Sequence, residues 1–129
     1  MSTAGTARLR PALYSDVIRQ RWRQPRFRGE LVEANAVAED VNPLCGDRVR
    51  MMLKVDDGTI RAARFLGDSC AICTASADVL AELIQGGPTG TRLSPADLLD
   101  VLQADIRPTR MRCVTLPLSV LNQALGRVG

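Results

Sequence analysis

The chain contains no histidine. That absence removes the commonest general base and the commonest nitrogen metal ligand, so Ser-His-Asp and Cys-His catalysis are excluded within it. Any metal site must be built from Cys, Asp and Glu. Aromatic residues are scarce, at 3% of positions, so Leu, Val, Ile, Ala and Met must build the core. Only Trp22 and Phe27 interleave with the early arginines (Arg8, Arg10, Arg19, Arg21, Arg23, Arg26 and Arg28), too few to form a stacking platform for nucleic acid. A solvated Arg-rich helix face is the plainer reading, and an acidic protein partner the better functional one. No apolar run approaches the roughly 20 residues that a membrane span needs. The opening MSTAGTARLRPA lacks the continuous apolar stretch of a secretory signal. These absences predict a cytoplasmic protein with neither nucleic acid nor membrane as partner, in a compartment where thiols stay reduced.

What is present suits one domain over residues 1–129 with a single core, since 46% of the residues are hydrophobic. Residues 1–10 are expected to be a frayed, disordered terminus. Leu13, Tyr14, Val17, Ile18 and Trp22 recur at helical spacing between Pro11 and Gln24, and Pro25 stops that helix. Ala36–Ala38 with Val41 suggest a strand, closed by the turn signal Asn42-Pro43. Val49, Met51, Leu53 and Val55 alternate with Arg48, Arg50, Met52 and Lys54, which predicts a strand with one buried face. Asp56-Asp57-Gly58 is a hairpin turn, and Ile60 to Leu66 is the return strand.

Cys70 opens a helix whose stripe is Ile72, Ala75, Ser76, Val79, Leu80, Leu83 and Ile84, ended by Gly86-Gly87. Ser94-Pro95-Ala96-Asp97 is a helix start with Ser as N-cap and Pro at the first helical position. A last helix is predicted from about Thr115 to Leu125, with Pro117 in its first turn, the part that tolerates proline. Strands followed by helices argue for an α+β fold: a small antiparallel sheet of about three strands with helices on one face.

Four cysteines in a reducing compartment point to metal or thiol chemistry more than to disulfides. Cys70 and Cys73 form a Cys-x-x-Cys at a helix start, where a thiol pKa is lowered; a redox pair is one reading. A zinc knuckle would need a second pair, and Cys45 and Cys113 are single. Cys73 reads as a small buried hydrophobe. Cys45, Cys70 and Cys113 each lie at a junction between elements, and those junctions can converge at one end of a small α+β domain. Asp47 follows Cys45 by two residues. Three thiolates and one carboxylate would make a four-ligand site without histidine, suited to zinc or an iron–sulfur cluster.

At these residues the sequence resembles the IscU/SufU/NifU N-terminal family of iron–sulfur cluster assembly scaffolds. LYSDVIRQRWRQPRFRGEL resembles the family's first helix and following loop. NPLCGDRVRMMLKV resembles its Cys-Gly-Asp motif entering a strand. ARFLGDSCAICTASADVLAELIQG resembles its second cysteine motif, and PTRMRCVTLPLSVL its last. The resemblance implies a SufE/NifU-like fold, with Cys45, Asp47, Cys70 and Cys113 as ligands of a transient [2Fe–2S] cluster or of Zn2+. It implies Cys113 and Cys70 as sulfur acceptors, a PLP-dependent cysteine desulfurase as sulfur donor, and apo iron–sulfur proteins as recipients.

Arg112 stands where IscU has a histidine before its last cysteine, and Arg110 resembles an arginine of the SufU branch. The SufU insertion before the last cysteine is missing, so the chain is SufU-like in residues and IscU-like in length. IRPTRMR replaces the segment by which IscU is recognised by a chaperone. Cys73 occupies a position that is usually Ser or another small residue. The scaffold reading is therefore preferred. A zinc-dependent sulfurtransferase is the alternative, and a structural zinc module a third. For any one of Arg19, Arg21, Arg23 and Arg26 a solvated face is the plainer reading, with part of a desulfurase docking face as the functional alternative; a monomer or weak homo-oligomer is expected.

Overall fold

A computed structural model of the chain describes residues 15–44 and 46–127. The expected frayed terminus, the predicted helix start at Pro11, and Leu13, Tyr14 and Cys45 lie outside these residues. Helix α1 (Asp16–Arg23) is followed by strands β1 (Ala36–Val41), β2 (Arg48–Asp56) and β3 (Thr59–Asp68), then α2 (Ala71–Ile84), α3 (Pro95–Leu102) and α4 (Met111–Gly126). The strands form an antiparallel sheet in the order β1-β2-β3. The fold is α+β, as the sequence predicts.

The hairpin forms where Asp57 and Gly58 both take positive φ, 56° and 76°, the geometry that matches the twist of two adjoining strands. Val49, Met51 and Leu53 point into the main core, where they join Ile72, Val79 and Leu80 of α2 and Val114, Leu121 and Leu125 of α4. The outer edge of β3 is covered at both ends. Phe27–Gly29 pair with Phe65, and Gly86 and Gly87 pair with Ile60. Such cover removes a free strand edge that would recruit other chains.

Four expectations differ from the structure. Met52 was expected on the open face of β2, yet it is fully buried. The chain crosses from the β3 edge at Arg28 to the β1 side at Asn35. Leu31, on that crossing, and Met52 are buried apolar residues outside the main core cluster. Leu83 of the predicted apolar stripe is exposed, whereas Ala77, Asp78 and Ala81 are buried. Helix α2 packs against α1, α3, α4 and β3, so it is enclosed around most of its girth and its small residues face its neighbours. Trp22 is 52% exposed, because the side of α1 turned to α2 runs through Ile18 and Arg21.

The fourth difference concerns the last helix. It begins at Met111, after a 3-10 turn over Pro108–Arg110. Pro117 is thus inside the helix, two turns from its start, and its missing N–H leaves the Cys113 carbonyl without the usual intrahelical donor.

Arg21 is turned inward to a buried partner, whereas Arg26 stays exposed. Asp78 is fully buried in the middle of α2. One carboxylate oxygen accepts from Arg21 at 2.8 Å and the other from the Phe27 N–H at 2.7 Å. Arg21 and Arg26 also both pair with Glu82, and the two arginines hold its carboxyl below its ordinary range. Arg19 pairs with Asp16 on its own helix. Ser15 caps α1 through the Ile18 N–H and donates to the Leu102 carbonyl at the end of α3.

Removing Arg21 strands a buried carboxylate. Arg21→Ala is expected to cost about 3–5 kcal/mol, whereas Arg26→Ala, which breaks an exposed pair, is expected to cost less than about 1 kcal/mol. Urea unfolding of the two variants measures this, and equal losses would contradict the burial argument.

Candidate metal centre

The loop from β1 to β2 is pinned at Asn42. Its N–H donates to the Asp47 carbonyl at 2.8 Å, its carbonyl accepts from the Gly46 N–H at 2.7 Å, and its side-chain oxygen accepts from the Leu44 N–H at 3.1 Å. Gly46 has a φ of +75°, a left-handed conformation that only glycine takes without strain. The loop delivers Asp47, buried, to the start of β2.

The other end of the hairpin returns to the same place. Asp68 of β3 pairs with Arg48 of β2, so the chain enters α2 beside Asp47. Gly67 permits this approach, because a Cβ there would lie 2.1 Å from the Arg48 carbonyl oxygen. Cys70 is then the N-cap of α2. Its N–H donates to Asp47 Oδ1 at 3.1 Å, and its Sγ accepts from the Cys73 N–H at 3.4 Å. Cys113, in the first turn of α4, brings its thiol 3.8 Å from Asp47 Oδ2.

One donor atom from each of Asp47, Cys70 and Cys113 lies within 4.8 Å of the others. Tetrahedral thiolates held about 2.3 Å from zinc would lie about 3.8 Å apart, so a small contraction closes the group on an ion. Two soft sulfurs and a carboxylate suit zinc or an iron–sulfur cluster better than magnesium or calcium. The starts of α2 and α4 both meet here, and helix dipoles favour the negative charge that the ligands of a bound metal carry.

Burial opposes that charge at Cys113, pushing its thiol up to about 11, and the adjacent Cys70 acts in the same direction. The Arg110 guanidinium, hydrogen-bonded to the thiol, pulls it down. Cys70 is more accessible than Cys113.

Cys45, in the same loop as Asp47, lies outside the described residues. Cys73 is fully buried beneath Cys70 and is not part of the three-donor group. Burial raises its thiol far above the ordinary range, and a hydrogen bond with Ser69 partly offsets this. Arg112 is exposed and lines a groove of about 190 Å³ with Asn42, Pro43, Thr115 and Leu116.

Sequence reasoning missed the anchoring roles of Asn42, Gly67 and Ser69. A glycine inside a strand signals close backbone approach, which would have found Gly67. Nothing in the sequence distinguishes Ser69.

A thiol–carboxylate centre at the end of a three-stranded sheet places the chain among small α+β domains built around cysteine donors. Residues 13–128 match the NifU-like N terminal domain family, and the chain belongs to it. It is 31% identical over 134 aligned residues to the zinc-dependent sulfurtransferase SufU of Bacillus subtilis, covering 89% of this chain and 90% of that protein. It is also 31% identical to the iron–sulfur cluster assembly scaffold protein IscU of Thermotoga maritima, covering 90% and 94%. A crystal structure from Fervidobacterium islandicum, described as a candidate iron–sulfur cluster assembly scaffold protein for the SUF system, superposes with a TM-score of 0.75. That protein is 27% identical, with 88% of this chain and 96% of that chain covered. The N-terminal NifU-like protein of Brucella abortus, 19% identical, shares the fold with a TM-score of 0.72 over 90% and 94%. Among the described residues no helix is long and apolar enough to cross a membrane.

The two thiols differ in a measurable way. In metal-free protein, iodoacetamide is expected to label Cys70 first at neutral pH. Cys113 labelling should rise with pH to a midpoint near about 11, because burial delays formation of the thiolate to that range. Arg110→Ala should move the Cys113 profile to higher pH; an unchanged or lower profile would remove Arg110 from the electrostatics of this thiol.

Proposed function

We propose that the chain is an iron–sulfur cluster assembly scaffold. It accepts sulfur from a PLP-dependent cysteine desulfurase, assembles a transient [2Fe–2S] cluster on Cys45, Asp47, Cys70 and Cys113, and passes it to apo-proteins in the cytoplasm. The observation that carries this reading is the Asp47 carboxylate lying between the two thiols at the helix starts. A hard oxygen donor among soft sulfurs weakens the hold on the cargo, as a protein that must release it requires. Cys70, the more accessible thiol at the start of α2, is suited by its exposure to attack an incoming persulfide. Cys113, with Arg110 on its thiol, is the second acceptor. Cys45, two residues from Asp47 along the chain, supplies the remaining sulfur.

A second reading, a zinc-dependent sulfurtransferase, is favoured by the likeness to SufU and by Arg110. In that case bound zinc would hold the same thiols deprotonated, and the protein would relay sulfur without assembling a cluster. A structural zinc module is the reading that remains if no sulfur chemistry is found.

Anaerobic incubation of the protein with iron, cysteine and a desulfurase is expected to produce visible charge-transfer absorption. Bound zinc with faster desulfurase turnover, and no chromophore, would favour the sulfurtransferase. Zinc with no effect on a desulfurase would leave the structural module. Asp47→Ala is expected to retain the cluster longer during transfer to an acceptor. The same change leaves the Cys70 N–H without its acceptor, at a cost of about 1–3 kcal/mol in stability. Unchanged transfer would contradict the role given to Asp47.

A further inference from the structure

Among the described residues, the three-donor group leaves one thiol unused. Cys73 sits one helical turn after Cys70, fully buried, and its N–H donates to the Cys70 sulfur at 3.4 Å. Ser69 hydrogen-bonds its thiol. Asp47 and Cys113 meet Cys70 through the other elements, β2 and α4, while Cys73 backs it from within α2. Residues one turn apart have Cβ atoms about 5–6 Å apart, close to the separation that a disulfide spans after a small adjustment. Being buried, Cys73 is withheld from solvent reagents and has Cys70 as its neighbouring thiol along the helix.

We infer that Cys73 is a resolving thiol that releases sulfur delivered to Cys70 as sulfide. The inference rests on Cys70 accepting sulfur, as proposed above. In the step, the Cys73 sulfur attacks the inner sulfur of a Cys70 persulfide. The Cys70–Cys73 bond forms, the bond between the two persulfide sulfurs breaks, and the outer sulfur leaves as hydrosulfide with the electron pair of that bond. The Cys73 proton passes to the leaving sulfide as the new bond forms. The two cysteines are oxidised to a disulfide, and the delivered sulfur is reduced by two electrons to the oxidation state it has in a cluster. An external dithiol returns the pair to thiols by exchange.

The test uses the full chain with inorganic polysulfide as the sulfur donor. After excess donor is removed anaerobically, the tryptic peptide Phe65–Arg92 is weighed; it contains Cys70 and Cys73 and neither of the other cysteines. The wild type is expected to yield the peptide lighter by two hydrogens, with one sulfide released per disulfide. Cys73→Ala is expected to hold the peptide heavier by one sulfur and to release sulfide at least about tenfold more slowly. Cys73→Ser provides the same comparison if the alanine variant does not fold. Wild type and variant both holding the extra sulfur, with equal release, would overturn the resolving role while leaving Cys70 as acceptor. No extra sulfur on either variant would overturn the acceptor reading itself, and with it this inference.

Discussion

The Asp47 carboxylate ties together three pieces of chain that are distant in sequence. One oxygen takes the Cys70 N–H at the start of α2, and the other lies against the Cys113 thiol at the start of α4. Its own place is fixed by the Asn42 loop and by the first residues of β2. A carboxylate is suited to this, because it accepts at two oxygens and carries the charge that two helix starts favour. The arrangement works only because β3 can lie hard against β2 at Gly67, where a methyl group would collide with backbone.

The rest of the fold holds α2 where that geometry needs it. Its small residues allow α1, α4 and β3 to close around it. Its single buried acid, Asp78, is neutralised by Arg21 and by a backbone donor at Phe27. The end of α2 that bears Cys70 is therefore backed by a rigid core, and the thiols it presents are positioned by packing rather than by their own loop. Pro117 contributes at α4 by freeing the Cys113 carbonyl from the helix ladder.

Periodicity made the hairpin and the core helices readable, because alternation in β2 and the three–four spacing in α2 follow directly from burial. Met52 escaped that logic because alternation assigns β2 one buried face, whereas Met51, Met52 and Leu53 are all buried at its centre. Arg21 escaped it because a guanidinium reads as solvated until its buried partner is known. The start of α4 was displaced by the rule that proline belongs in a first turn, which packing here overrides. Junction positions pointed to Cys45, Cys70 and Cys113 as neighbours, with Asp47 two residues after Cys45; Cys45 lies outside the described residues, and Asp47, Cys70 and Cys113 do lie together. The apolar spacing around Cys73 marked it as a small buried hydrophobe, and it is indeed fully buried and outside the donor group.

The central claim is that sulfur and oxygen share one centre, with Asp47 as the labile donor. X-ray absorption at the metal edge of the loaded protein tests it most directly. With zinc loaded, the account predicts a single ion bound by sulfur from Cys45, Cys70 and Cys113 and by one oxygen at about 2.0–2.2 Å, and loss of that oxygen in Asp47→Ala. A shell of sulfur alone in the wild type, or an oxygen that survives the substitution, would contradict it.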